Sequence, residues 1–564
     1  MKKLFVVLSI LLFVSTVSAQ GLNLESFRQQ ATYIIRDDLD YAINGTDIFE
    51  VDGARIFTNL SNLSTGTEEL MGYNSDNTFV IGYVSPKFWG LKSALFWGTM
   101  KDLDPDFIGI DVDGDGWDDL WGDGFLSGVW HREWDANGDG SIDFIDYRYV
   151  EEAGEDSDLE SDILVNIGKD MGVSAFALTY RRVADKYTDD YSDSLYFDRE
   201  DYSTGDLTEF FREDSVGSGV ITSPSNQFNL AYTSPFMSWD LRGDLYFNMS
   251  NIENKWTSNY HYFENLAPPP ASITDTELDT TYSAGMDKYS NNEAGIALRL
   301  KNTDPILTWE VSGRFGMNFG SGDYEMGKFA YFEEQGMGAG NVYTSIIDTT
   351  DKYTAPISVS GMNMGLGGRM EWQLASNVRF GLGVGFNSSR LTREYDQDYT
   401  YIERIEYDDG DLDPADPDDF VDIRQSGYSS MRTYETIVDA IYVPAGIEIN
   451  VGKNKDWFLR FGALAIKENI NTKNMEEIDG VQREVHTITR GDGTTTTTYE
   501  DVEYESTKEN DYSENQTVDF AYGLGWKPSD NLSIDLLGMF DVSGIELLST
   551  DWFQSLKLSA TVSY

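Results

Sequence analysis

Apolar and polar side chains alternate with a period of two through most of this chain. After the turn at 302–305, for example, Leu307 and Trp309 share one face, while Glu310 and Ser312 share the other. The clearest runs span 239–249, 294–301, 307–319, 362–374, 378–387, 443–451, 457–463 and 518–526. Because alternation of this kind is typical of β-strands with one apolar face, the pattern predicts an all-β protein.

The length of these runs and the character of their second face decide between a soluble sandwich and a membrane barrel. Several runs reach ten residues or more, whereas sandwich strands average about 5–6 residues. A strand needs about 9–11 residues to cross a bilayer at a tilt. The second face mixes glycine with charges of both signs, as in a wet lumen. Since only a closed ring of strands satisfies every backbone group in lipid, we predict a transmembrane, antiparallel, up-and-down β-barrel.

Short turns and long polar stretches follow each other in strict alternation. The short turns lie around Asp170 and at 85–90, 234–236, 302–305, 375–377, 452–456 and 527–531. The long stretches cover about 101–160, 184–225, 251–292, 320–353, 391–432, 470–516 and 542–552. This order predicts short periplasmic turns and long, acidic extracellular loops. Hairpins from Thr78 onward give about fifteen strands, and even parity adds residues 54–60, so we predict about 16 strands, with 14 as the alternative.

The chain ends on one more alternating strand, whose apolar positions finish on an aromatic residue: Leu556, Leu558, Ala560, Val562 and Tyr564. This strand resembles the terminal strand of bacterial outer-membrane β-barrels, whose assembly machinery reads an aromatic-ended strand. The resemblance implies a location in the outer membrane of a Gram-negative-type bacterium. It also implies two partners, the outer-membrane lipid and the barrel assembly machinery.

The first residues have the features of an export signal. Lys2 and Lys3 precede an apolar run over residues 4–14, and a small-residue cleavage site ends at Ala19. The apolar run is shorter than the roughly 20 residues that a membrane-spanning helix needs. We therefore expect residues 1–19 to be a signal peptide that is cleaved near Ala19.

The segment between the signal and the first strand has no strand alternation. We expect residues 20–50 to form either a periplasmic tail or a hatch inside the lumen, ahead of a barrel that spans 51–564. This order resembles the architecture of FadL-type outer-membrane transporters, which carry a hatch before their barrel. The resemblance concerns the architecture alone.

A formal charge of −56 narrows the range of partners. A chain this acidic repels phosphates, so we exclude nucleic acid as a partner. The strongly periodic apolar runs exclude a disordered chain for most of the length. Acidic loops at the mouth of a pore repel anions, so they favour cations or neutral solutes.

The long stretch 101–160 holds a motif typical of calcium-binding loops. Gly140 stands at the sixth position of a twelve-residue loop, where the backbone must turn sharply, and oxygen-bearing residues occupy positions 1, 3, 5, 7, 9 and 12. These residues are Asp135, Asn137, Asp139, Ser141 through its carbonyl, Asp143 and Asp146. The loop resembles those of EF-hand and dockerin modules, with Asp146 where the EF-hand prefers Glu. The resemblance implies a bound calcium ion.

A second, less complete copy lies upstream. Its twelfth position is Gly122, which supplies no closing carboxylate, and its other ligand positions are Asp111, Asp113, Asp115, Trp117 through its carbonyl, and Asp119. Solvated Asp- and Gly-rich turns are the alternative interpretation. Calcium in either loop would stiffen the stretch at the barrel mouth, because it would neutralise carboxylates that otherwise repel each other.

Charged residues of both signs are predicted to face the lumen. Two interpretations stay open: a transverse field that orients polar solutes, or a charge lattice that holds the barrel wall together. The residues are Arg299, Glu310, Arg314, Arg369, Glu371, Arg379, Glu448 and Arg460. We expect no enzymatic activity, because His131, His261 and His486 have neither a neighbouring nucleophile nor zinc-ligand spacing.

Two functions are compatible with this architecture. The first is a channel or transporter for an unidentified small solute, since about 16 strands enclose a lumen wide enough for a water-filled pore unless a segment plugs it. The second is a surface-exposed binding or adhesion protein that uses the barrel as an anchor and divalent cations as a clamp.

Overall fold

The fold consists almost entirely of strands. A computed structural model describes residues 38–62, 79–104, 125–134, 144–201, 207–266, 275–304, 306–338, 341–408, 419–452, 456–478, 481–503, 505–529, 531–541 and 555–563. These residues form a short helix, α1 (Asp38–Ile43), a 3₁₀ helix (Gly45–Glu50) and twenty strands. No helix in these ranges is long and apolar enough to cross a membrane.

The strands are numbered in the order in which they follow one another along the chain. Their bounds are β1 Arg55–Asn62, β2 Phe79–Val84, β3 Leu91–Asp104, β4 Phe125–Trp134, β5 Phe144–Asp170, β6 Ala175–Asp201, β7 Leu207–Thr222, β8 Ser225–Phe236, β9 Trp239–Leu266, β10 Asp275–Thr303, β11 Leu307–Gly338, β12 Asn341–Ala375, β13 Val378–Asp408, β14 Phe420–Val451, β15 Trp457–Ile478, β16 Val481–Arg490, β17 Thr495–Glu503, β18 Thr507–Ser529, β19 Leu532–Asp541 and β20 Ser555–Ser563.

Sixteen of these strands close into one antiparallel ring. The ring runs in the order β1, β2, β3, β5, β6, β8, β9 to β15, β18, β19 and β20. It closes where β20 pairs with β1, with Arg55 opposite Ser563. The predicted count of 16 is confirmed and the alternative of 14 is wrong, because the run predicted over 54–60 forms β1.

The other four strands extend the ring at the end away from the short turns. β7 lies between β6 and β9, beyond the end of β8 that is farther from the short turns. β4 pairs with β5 beyond β3, and the β16–β17 hairpin pairs with β14 beyond β15. These strands lengthen the wall on one side only.

The prediction of long loops is wrong for most of the described residues. β9 to β14 run for 28 to 35 residues each, so most of the stretches 251–292, 320–353 and 391–432 lies in paired strands. The same holds for much of 184–225 and 470–516. The physical reason is that both faces of these strands are polar there, so the backbone pairing leaves no apolar–polar alternation in the sequence.

The outer face of the ring carries a belt of exposed apolar side chains. Alternate residues of β11 from Leu307 to Phe319 face outward, and Met317 is 58% exposed. On β14 the outward apolar positions run from Ile441 to Val451. The next outward position before Ile441 is Asp439, which is polar. A belt about 11–13 residues high matches the strand length that crosses a bilayer at a tilt. Exposed large apolar side chains recur on most strands of this belt, whereas a soluble monomer exposes only limited apolar patches.

The inner face has the opposite character. Buried charged and amide side chains lie there, including Asp162, Asn166, Arg181, Arg242 and Glu448. Arg181 donates to both carboxylate oxygens of Asp162, with the shortest contact at 3.0 Å. Polar groups inside and apolar groups outside are the reverse of a soluble protein, and the inner face is therefore the place to look for a functional site.

Candidate functional site

Residues 38–53, here called the inner segment, pack against the inner face of the ring. They contact β3, β5, β6 and β8. Leu39, Ala42, Ile48 and Val51 are buried in a cluster that also contains Phe96 of β3 and residues of β1, β2 and β5. Apolar side chains of the wall thus form a buried cluster with this segment, which fixes its position in the ring.

Polar groups of the wall hold the backbone of the inner segment. Asn166 of β5 donates to the carbonyl oxygens of Ala42 and Gly45, at 3.0 and 2.9 Å. Lys92 of β3 donates to the carbonyl oxygen of Val51. These bonds satisfy carbonyl groups that the short helices leave unpaired, and so they offset the cost of burying them.

Asp47 connects the inner segment to the far wall. Its carboxylate accepts hydrogen bonds from Arg299 of β10, one at 2.5 Å, and lies 3.7 Å from a guanidinium nitrogen of Arg242 of β9. The Asp47 side chain is 6% exposed. Arg242 also donates to Asp244 at 2.8–2.9 Å. Asp47 therefore joins the inner segment to two arginines through a buried, charge-assisted contact.

Seven of the eight predicted lumen residues lie in two groups of ion pairs on the inner face. In the first, Glu310 accepts a hydrogen bond from Arg369 at 3.4 Å and lies 4.0 Å from Arg299. In the second, Glu448 accepts from Arg379 at 2.7 Å and from Arg460 at 2.9 Å. Glu371 and Asp535 extend that group, at 3.3 Å from Arg379 and 2.9 Å from Arg460. The eighth residue, Arg314, belongs to neither group.

Several residues of this network were missed by the sequence reasoning. Arg242 and Asp244 alternate with apolar residues on β9, a signal the sequence contains. Asp535 occupies a comparable position on β19. Asp47 carries no such signal, because it lies in a six-residue 3₁₀ helix whose place in the ring depends on long-range packing.

A cavity of about 570 Å³ opens on the inner face beside these charges. Its wall is formed by strands from β8 to β14, and Asn44 of the inner segment borders it. Gly367, Gly383 and Gly385 leave space on one side. Asparagines supply much of the rest of the lining, namely Asn229, Asn248, Asn291, Asn318, Asn363 and Asn387. A concave site of this volume with converging polar groups is typical of a small-molecule site.

A cluster of tyrosines lies further along the same strands, beyond the cavity. Tyr395 is buried with Ala355, Ile357 and Val359, and it packs edge-on against Tyr434 with ring centroids 5.4 Å apart. Arg393 lies between Tyr289 and Tyr434, 5.5 and 5.8 Å from their ring centroids. Counted from the end of the ring with the short turns, the ion pairs come first, the cavity second and this cluster third. The inner face thus has three layers.

The cavity holds an unusual number of polar atoms without a hydrogen-bond partner. Among the described residues these include the Nε of Arg314 and the Oδ1 atoms of Asn229, Asn248, Asn363 and Asn387. Asn363 is only 8% exposed. A buried polar atom without a partner costs about 1–3 kcal/mol. Such a concentration in one cavity indicates that water or a solute supplies the missing partners.

On the outer face, above the apolar belt, a smaller charged cluster surrounds Glu435. Lys473 donates to its carboxylate at 2.7 Å, and Arg390 forms an ion pair with it. The hydrogen bond from Lys473 is the main reason that the pKa of Glu435 is lower than usual. Arg390 is therefore paired outside the ring and contributes no free charge to the cavity.

The predicted calcium loops lie outside the described residues, apart from Asp146. Residues 105–124 contain Asp111, Asp113, Asp115, Trp117 and Asp119, and 135–143 contain Asp135, Asn137, Asp139, Ser141 and Asp143. The backbone of Asp146 lies in β5, opposite Arg132 of β4. The described part of the chain contains no cluster of His, Cys, Asp or Glu arranged to hold a metal.

Comparisons with known proteins give only distant likenesses. No family model matches the chain, and no curated protein matches it. Among solved structures, the ferric enterobactin receptor PfeA from Pseudomonas aeruginosa is 9% identical, with 91% of this chain and 81% of that chain covered and a TM-score of 0.25. The siderophore receptor PirA from Acinetobacter baumannii is also 9% identical, with the same coverage and a TM-score of 0.23. Superpositions this loose do not support a conclusion about ligand or activity.

Proposed function

We propose that the protein is an outer-membrane β-barrel that passes small polar solutes through the ring. The observation that supports this most directly is the reversed polarity of the closed ring, with an apolar belt outside and ion pairs and a cavity inside. Lipid favours an apolar outer surface, and a solute path favours a polar interior. On this proposal the protein carries an export signal and is not an enzyme.

The inner segment makes the proposed pore a gated or narrow one. It occupies the inside of the ring on the side of the short turns and binds both β5 and β10. We therefore assign residues 38–53 as a hatch, the second of the two roles expected for residues 20–50. A solute crossing the barrel has to pass or displace it.

One observation favours the second function, a surface-binding protein. The strands from β9 to β14 continue well beyond the apolar belt, and they carry polar side chains on both faces there. Such a wall presents a large surface outside the membrane. A binding role at that surface is compatible with transport through the same ring.

Conductance in a planar lipid bilayer tests the transport proposal. We expect the purified full-length protein to insert and give discrete conductance steps, because its interior is polar and hydrated. Circular dichroism of the same sample should show the β-structure. A sample with intact β-structure that leaves the bilayer silent, and that releases no small solutes from loaded vesicles, would contradict transport and leave the surface-binding function.

We also propose that the loop 135–146 binds calcium. A titration of the refolded protein with Ca²⁺ is expected to give a saturable isotherm, weak as in extracellular modules at about 10⁻⁴–10⁻³ M. Replacing both Asp135 and Asp139 by Ala should remove that isotherm, since it deletes two carboxylate ligands. Asp408→Ala, in an acidic run without ligand spacing, serves as the control. An isotherm that survives the double replacement would refute the site.

A further inference from the structure

Two oppositely charged side chains in the cavity have no ionic partner among the residues that the structure describes. Glu293 of β10 accepts a hydrogen bond from the hydroxyl of Tyr246 at 2.7 Å, but no Lys or Arg among the described residues comes within 4.0 Å of it. Arg314 of β11 likewise has no described carboxylate within 4.0 Å, and its Nε has no hydrogen-bond partner. The two charges line one cavity without pairing with each other.

The remaining charged side chains on the inner wall of the cavity are all paired. Arg242 is bound to Asp244 at 2.5 Å, and Arg369 to Glu310 at 3.4 Å. Arg299 is bound to Asp47. These pairs neutralise one another, so the charges left to act on a solute are one cation and one anion. Their separation explains why neither is neutralised by the protein.

Strand register keeps the two charges apart on the same wall. Glu293 lies opposite Asn318 of β11, and Arg314 is four residues further along that strand. At about 3.3 Å per residue this is roughly 13 Å between the two backbone positions. The Glu293 carboxylate reaches back to Gly316, two residues from Arg314, so it lies only about 7 Å along the strand from the backbone of Arg314. The Oδ1 of Asn363 lies near the glutamate end, since both it and the Oε1 of Glu293 are within 3.0 Å of the Cβ position that Gly316 lacks.

We propose that this cavity binds a small zwitterion, with its carboxylate on Arg314 and its ammonium group on Glu293. The inference rests on the proposed transport function, because it assigns the class of solute. Bidentate hydrogen bonding suits a guanidinium to a carboxylate. A solute with only a negative charge leaves Glu293 without an ionic partner. A solute with only a positive charge leaves Arg314 without one. The side-chain oxygens of cavity asparagines that have no described hydrogen-bond partner accept hydrogen bonds from the polar atoms between the two charges.

Free amino acids, short peptides and betaines share this chemistry, so the test compares zwitterions with their charge-blocked analogues. Isothermal titration of the full-length protein in detergent uses glycine, glycylglycine and glycine betaine. The analogues are N-acetylglycine, which lacks the cation, and glycinamide, which lacks the carboxylate. We expect at least one zwitterion to bind tenfold or more tightly than either analogue. Which zwitterion binds best distinguishes the three sources.

Two variants test which charged group of the solute each of the two residues binds. Glu293→Gln should weaken zwitterion binding at least tenfold and improve binding of N-acetylglycine. Arg314→Met should weaken it similarly and improve binding of glycinamide. Glu514→Gln is the control, because its partner Lys467 is exposed on the outer surface, and it should change neither affinity.

Equal affinities for the zwitterions and both analogues would overturn the inference, as would variants that leave the preference unchanged. If a variant fails to form the ring, the comparison of solutes on the native protein decides alone. The outcome is separate from that of the transport proposal. Conductance without zwitterion preference refutes only the binding site, and zwitterion binding by a protein that conducts nothing refutes only transport.

Discussion

Asp47→Ala is expected to raise the conductance of the barrel several-fold over that of the native protein. The Asp47 carboxylate is buried and lies between Arg299 and Arg242. Removing it leaves Arg299 with Glu310 at 4.0 Å as its nearest described carboxylate. Breaking a buried ion pair on one side costs about 3–5 kcal/mol. The bonds from Asn166 and Lys92 hold the near side of the inner segment. On the far side the bond from Arg242 to the carbonyl oxygen of Asn44 and the exposed Lys301–Glu50 pair remain among the described contacts, so that side should be held more loosely and the path should widen.

Single-channel recording of purified variants measures this effect, and Glu50→Gln is its matched control. Glu50 belongs to the same 3₁₀ helix and pairs with Lys301 at 3.5 Å, but its side chain is 51% exposed. An exposed pair contributes about 0–1 kcal/mol, so Glu50→Gln should conduct like the native protein. If Asp47→Ala conducts no more than Glu50→Gln while its β-structure is intact, the inner segment does not close the path.

The ring could be predicted from the sequence because lipid and water act on opposite faces of the same strands. Wherever a strand crosses the belt, residues such as Met317 and Asn318 alternate by burial and polarity. The strand Arg55–Asn62 was found by parity alone, since eight residues give a weak pattern. Beyond the belt both faces meet polar surroundings, so the pattern ends while the strand continues. That is why paired strands were interpreted as loops.

The site was only partly predictable for a different reason. Arg369 and Glu310 stand out because charges on apolar-alternating strands have to face inward. The cavity depends on strand register, which places Gly367 of β12 and Gly385 of β13 next to each other, and no local pattern encodes it. Likewise, nothing in the sequence around Asp47 shows that it meets Arg299 across 252 residues. Short segments without periodicity acquire their place from packing alone.

Glu448→Gln is expected to cause a large loss of stability of the wall. The Glu448 side chain is 4% exposed and accepts hydrogen bonds from Arg379 and Arg460 together. The replacement removes one negative charge from between two guanidinium groups, and it leaves Arg379 with Glu371 and Arg460 with Asp535. Hydrogen bonds to a charged group contribute about 1.5–3 kcal/mol each, and the replacement weakens the contacts of two arginines at once. Urea unfolding of the protein in lipid vesicles measures the free energy of unfolding.

A double-mutant cycle separates this effect from a general disturbance of the wall. Adding Arg379→Gln to Glu448→Gln removes a guanidinium group that has already lost its contact with Glu448, so the combined loss should be smaller than the sum of the single losses by about 0.5–3 kcal/mol. Glu514→Gln removes an acid from an exposed pair and should cost no more than about 1 kcal/mol. Additive losses, or a Glu448→Gln loss no larger than that of Glu514→Gln, would show that these ion pairs do not hold the ring together. Stability would then come from the backbone pairing of the strands, and the charges on the inner face would be free to act on the solute alone.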